Sequence, residues 1–235
     1  EETGVRNTDK IIDFSKQLSM EVLNVISSGS FPVVIGGDCS ILIGCALGLK
    51  AAGIYGLFFI DGHADFVLPP SSQTKGAAGM DLAIATGYGH NSLTNINGLK
   101  PYIYQHDVTA FGNRDTATEY TRPIQRSSIG YFDLTRIREI GIEPIVNSFL
   151  KRMKAENTDG FWIHLDVDVL DDNLMPCVDS RQPGGLTYEE LALTMKLLLL
   201  SGLAVGIDIT ILDPDLDPEA VYTTTFIEQF TGIFG

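Results

Sequence analysis

Two short stretches of this chain carry the residue types of a divalent-metal centre. Asp61-Gly62-His63-Ala64-Asp65 stands directly behind the apolar run 56–60, and His164-Leu165-Asp166-Val167-Asp168 closes a second apolar run that begins at Phe161. In both, the polar residues alternate with small or apolar ones, so extended backbone would project them to one side. Carboxylates and imidazoles together suit a hard or borderline cation. Two carboxylate pairs gathered at one end of a sheet repel each other strongly, and a cation offsets that repulsion. Two cations ~3.5–4 Å apart would also hold a water, lower its pKa and present it to a bound electrophile. Taken singly, either stretch also reads as a solvated strand end.

Such side chains need a sheet to hold them. Ile11, Ile12, Phe14, Leu18, Val22, Leu23 and Ile26 recur at helical spacing, which predicts a helix over 9–28. A short buried strand is predicted at 31–35, then a Gly36-Gly37 turn, Asp38-Cys39-Ser40 and a helix reaching Lys50. After strand 56–60 comes a polar loop over 66–79, whose position next to the acidic cluster makes it a candidate cleft wall. A short helix at 80–86, a strand within 102–111, a helix at 143–155, strand 161–165, a helix at 186–201 and strand 203–209 complete the reading. Helices alternating with short apolar strands predict one α/β domain over residues 1–235 with a mostly parallel sheet covered on both faces.

Composition narrows the partners. A formal net charge of −14 argues against nucleic acid or an anionic membrane, both of which require a basic face. Small molecules remain the expected partners. Cys39, Cys45 and Cys177 are unpaired in spacing and odd in number, which fits a reducing, cytoplasmic compartment. No apolar run approaches the ~20 residues of a membrane span. Gly36-Gly37 lacks the companions of a nucleotide-binding loop. The chain opens on Glu1, so a leading segment is expected to precede it.

Gly36-Gly37-Asp38-Cys39-Ser40, Asp61-Gly62-His63-Ala64-Asp65 and Asp166-Val167-Asp168 with Asp171 resemble, in order and separation, the three signature motifs of the ureohydrolase superfamily of arginases, agmatinases and formimidoylglutamases. The segments 184–189 and 200–203 resemble the family's later motifs. The resemblance implies a three-layer α/β/α fold with seven to eight strands, the first of them absent here with the missing amino terminus. It also implies a binuclear manganese centre and a homo-oligomer, commonly a trimer or hexamer. By position, Asp61 and Asp166 become the bridging carboxylates, His63 and Asp168 complete one metal site, and Asp65 with Cys39 the other. The implied reaction is hydrolysis of a linear, non-peptide C–N bond by a metal-bridging hydroxide.

Departures from the motifs qualify that expectation. Cys39 stands where the family has a histidine; a thiolate ligand would favour zinc or iron, and a buried thiol without a metal is the alternative. Ala78 replaces a proton-shuttling histidine, and Ile211 replaces a guanidinium-binding glutamate. His164 is therefore the candidate proton shuttle, with Asp179 and Arg181 the candidate substrate contacts. An amide hydrolase of the related deacetylase kind, and a catalytically impaired relative with a binding or assembly role, are the competing readings.

Overall fold

In the computed structural model, which describes residues 2–234, the chain forms a single six-stranded sheet, all parallel, between two helical layers. The strands are β1 Val33–Ile35, β2 Gly56–Ile60, β3 Val108–Phe111, β4 Gly130–Phe132, β5 Phe161–Asp166 and β6 Ala204–Thr210, in the order β1-β6-β5-β2-β3-β4. The helices are α1 Thr8–Ser27, α2 Ile41–Ala52, α3 Asp81–Ala85, α4 Asn91–Thr94, α5 Thr118–Gln125, α6 Leu134–Ile140, α7 Ile142–Ala155, α8 Tyr188–Leu199 and α9 Val221–Thr231.

The two-residue period of the strands sorts the core into two halves. Leu57, Phe59 and Trp162 pack with α1 and α2, whereas Phe58, Ile60, Phe161 and Ile163 pack with α7 and α8. β2 and β5 lie at the sheet centre and are buried along their whole length. Phe58 sits edge-on to Phe149 with ring centroids 5.1 Å apart. Burying a side chain of that size contributes ~1.5–3 kcal/mol.

Six strands fall short of the seven to eight expected. Among the described residues no strand pairs with the outer edge of β1, so β1 has the neighbour β6 alone. That corrects the reading of 31–35 as a buried strand: Val33 is 55% and Ile35 80% exposed. An apolar run looks the same at an edge as at a centre. β4, α5 and α6 escaped the pattern reading because each is only three to eight residues long.

The turn that follows β5 is clamped by the chain entering α8. Leu186 N–H donates to Val169 O at 2.8 Å, Asp171 N–H donates to Leu186 O at 3.0 Å, and Gly184 N–H donates to Asp171 Oδ2 at 2.6 Å. Thr187 and Glu190 then close a capping box on α8, satisfying two helix-end N–H groups. A Cβ on Gly185 would fall inside the backbone of Leu170 and Asp171. Gly185→Ala is therefore expected to destabilise the fold by about 1–3 kcal/mol or more, measured as a lower urea midpoint; an unchanged midpoint would refute the clamp.

Candidate metal centre

Parallel pairing brings the two acidic stretches together. Ile60 is in register with Leu165, so Asp61 and Asp166 leave the carboxyl ends of neighbouring strands. This is where open α/β sheets place their ligands. The local geometry differs from the simple alternation expected. β2 stops at Ile60, the His63 N–H donates to Asp61 Oδ1 at 2.6 Å, and Asp65 has φ 41°. On the second stretch only His164 and Asp166 share a strand face. Asp166 Oδ1 accepts the Asp168 N–H at 2.8 Å and starts a tight turn over Val167–Val169. Side-chain-to-backbone turns, rather than extended chain, thus aim these residues.

Six candidate ligands converge on one cleft of about 480 Å³, whose wall includes Cys39, His63, Asp65, Asp166 and Asp168. Asp61 is buried beside them. His63 Nδ1 lies 2.9 Å from Asp168 Oδ2 and 3.7 Å from Asp61 Oδ1. Its Nε2 meets Gln182 Nε2 at 3.0 Å and Ser180 Oγ at 3.2 Å. The Cys39 thiol donates to Asp166 Oδ2 at 2.9 Å and lies 3.2 Å from Thr210 Oγ1. Donor atoms of Asp61, His63 and Asp168 lie within 4.8 Å of one another, as do those of Cys39, Asp61 and Asp166.

Burial first, and neighbouring carboxylates second, push Asp61, Asp65 and Asp166 well above the usual carboxylate range. Burial, with Asp166 and Asp61, raises the Cys39 thiol. Burial alone would lower His63, but its hydrogen bond to Asp168 and the charges of Asp168 and Asp61 push it up to about 9. Arg114 does not neutralise the group through its tips: Nη1 donates to Val169 O at 2.8 Å and Nη2 to Asp168 O at 2.7 Å, pinning the turn. Asp115 accepts the Ala64 N–H at 3.1 Å and holds the other turn. Neither role was marked by any pattern in the sequence.

The remaining candidates divide. Asp179 lines the cleft. Arg181 is exposed and outside the cleft wall, its Nη2 donating to Asp172 O at 3.2 Å. His164 is fully buried and also absent from the cleft wall; its Nδ1 is 2.5 Å from Asp208 Oδ2 and its ring stacks on Phe59. Cys177 is buried, as is Cys45. Asp81, fully buried, and Asp208 were missed. An acid at a helix start ordinarily faces solvent, so nothing local marked Asp81.

The sequence profile of the arginase family matches residues 4–231. The arginase of Staphylococcus aureus (strain MRSA252) is 33% identical over 220 residues, 92% of this chain and 72% of that protein. The chain belongs to the arginase family. The crystal structure of arginase from Bacillus cereus superimposes with a TM-score of 0.90 at 29% identity, covering 100% of this chain and 81% of that one. The agmatine ureohydrolase of Thermoplasma volcanium, at 20% identity and a TM-score of 0.69 over 97% of this chain and 69% of that one, shares the fold.

The residues present in this family member fit divalent metal. Asp61 Oδ2 is buried with no hydrogen-bond partner, an arrangement that costs ~1–3 kcal/mol unless a cation or donor meets it. Among the described residues, His63 and Arg114 are the cationic neighbours of Asp61 and Asp168. Metal uptake must displace protons, because His63 is protonated below about pH 9. Affinity for manganese is accordingly expected to rise by about tenfold per pH unit for each proton released, measured by calorimetric titration between pH 6 and 8; a flat profile would contradict this.

Proposed function

We propose that this chain is a metallohydrolase cleaving the C–N bond of a linear, non-peptide amidine or amide. Asp61 and Asp166 would be shared by two cations, with His63 and Asp168 completing one position and Asp65 with Cys39 the other. The convergence of these six side chains at the ends of β1, β2 and β5, with Asp61 Oδ2 unpaired, carries the reading. Such cations, when bound, supply Lewis acidity and lower the pKa of a water towards neutrality.

The chain's own residues would do the rest. Gln182 and Ser180 orient His63 through Nε2, leaving Nδ1 turned to Asp168 and Asp61. Arg114 and Asp115 hold the two ligand-bearing turns rigid, which keeps the carboxylates in place during turnover. Asp179 and Asp115, both on the cleft wall, are suited to the cationic end of a substrate.

Ala78 and Ile211 also line the cleft. Neither side chain can accept a hydrogen bond from a guanidinium, so formimino, acylated-amine and other amidine compounds join guanidino compounds as candidate substrates. Manganese- or zinc-loaded protein should release amine from at least one member of a guanidino, formimino and acylamine panel. No turnover at full metal occupancy would overturn the proposal and leave a binding or assembly role. A homo-oligomer is the accompanying expectation, checked by light scattering.

A further inference from the structure

We propose that Cys39, Asp81 and His164 form a zinc-binding site of their own, deeper than the group formed by Asp61, His63 and Asp168. The three come from separate parts of the chain: the turn after β1, the first residue of α3, and the middle of β5. All three are buried, and their donor atoms lie within 4.8 Å of one another. Zinc–ligand bonds of ~2.0–2.3 Å place two donors up to ~4.6 Å apart, so a small closure suffices.

His164 is prepared as a ligand. Its Nδ1 faces Asp208 Oδ2 at 2.5 Å, and the Trp162 indole N–H donates to the other Asp208 oxygen. With Asp208 held as an acceptor, the imidazole proton sits on Nδ1 and the lone pair on Nε2. Stacking on Phe59, with centroids 4.5 Å apart, fixes the ring plane. Carboxylate behind, imidazole in between and a metal in front is the usual outer-shell arrangement of zinc histidines. Here the front atom, His164 Nε2, is buried and has no partner.

Asp81 repeats the pattern from the facing side. Its Oδ1 accepts the Leu82 N–H at 2.6 Å, whereas Oδ2 is buried and unpartnered. Two orphaned acceptors and a thiol in one buried cluster call for a cation. A thiolate and a carboxylate carry two negative charges, which one divalent ion neutralises. Sulfur, nitrogen and oxygen donors together favour zinc over manganese or magnesium. Asp166, whose Oδ2 is 2.9 Å from the thiol, or a water would supply the fourth ligand.

This site takes Cys39 from the position it would share with Asp65 in the proposed centre, which then rests on Asp61, Asp65 and Asp166. It is detected without turnover, so its failure and that of the hydrolase reading are told apart. Cobalt(II), as a spectroscopic substitute for zinc, is titrated into metal-free protein. One equivalent should produce thiolate-to-cobalt charge-transfer absorption that zinc then abolishes. His164→Gln and Asp81→Asn should each weaken that binding by more than ~100-fold, and Asp208→Asn by ~10–100-fold, while His63→Ala leaves it unchanged. Absence of the band in the parent protein would overturn the site. So would a band lost in His63→Ala but retained in His164→Gln and Asp81→Asn, since Cys39 would then serve the outer group. Should a buried variant fail to fold, anomalous scattering from zinc-soaked crystals of the parent decides. A peak bonded to Cys39 Sγ and His164 Nε2 supports the site, and zinc bonded only to Asp61 and Asp166, or none, refutes it.

Discussion

Asp166→Asn is expected to lower hydrolysis by about 10³-fold or more while leaving the metal-free protein no less stable than its parent. Asp166 reaches the cleft from the end of the central strand β5 and is 2% exposed. Its Oδ2 takes the Cys39 thiol and its Oδ1 the Asp168 N–H. Asparagine retains one acceptor for that backbone donor, so the turn survives. What it removes is a negative charge crowded by Asp168 and Asp61, a crowding already visible in the raised pKa. Without metal, losing that charge relieves repulsion. With metal, it deletes a carboxylate that both cations would share, and several kcal/mol of transition-state stabilisation go with it, each 1.36 kcal/mol being about tenfold in rate. Steady-state kinetics paired with urea unfolding in chelator tests both halves. Activity retained within about tenfold would remove Asp166 from the centre, and a large loss of metal-free stability would make its role structural.

Adding metal should reverse the direction in which pH acts on stability. Asp61, Asp65, Asp81 and Asp166 all have carboxyls raised above their ordinary value of 3.8, chiefly by burial and then, in each case, by neighbouring acids. Between that value and the raised ones, the folded state binds more protons than the unfolded state. Stability of the metal-free protein therefore falls as pH rises above about 4. His63 acts in the same direction: raised from 6.5 to about 9, it contributes stability that is full below 6.5 and lost through 9. A cation competes with protons for the same atoms, so its contribution grows with pH. At a hundredfold excess over Kd it adds ~2.7 kcal/mol, about 5–10 °C in Tm for a domain of this size. Thermal melts at pH 5 and pH 8, with manganese and with chelator, should diverge at the higher pH. Metal-free melts that do not move with pH would mean that the chain compensates these charges by itself.

Much of this was legible in one dimension. The apolar runs at 56–60, 161–165 and 203–209 became β2, β5 and β6, since a strand buried on both faces reads as an uninterrupted apolar segment. Acidic residues immediately after two of those runs located the cleft, because parallel strands present their carboxyl ends together. The order and spacing of the Gly36, Asp61 and Asp166 motifs were enough to suggest the family, which the profile match over residues 4–231 then showed.

Tertiary structure decided the rest. Strand periodicity correctly put His164 and Asp166 on one face of β5, but not what lay opposite that face. Asp208 arrives there through the register of β5 with β6, and Asp81 through the packing of α3. Cys39 and Asp166 touch across 127 positions of sequence. Local pattern reports the backbone state and the side of an element that prefers water. Which polar atoms finish buried without partners depends on contacts made only when distant segments pack. The acidic ring at the cleft was therefore written in the sequence. The deeper trio of thiol, carboxylate and imidazole exists only in the fold.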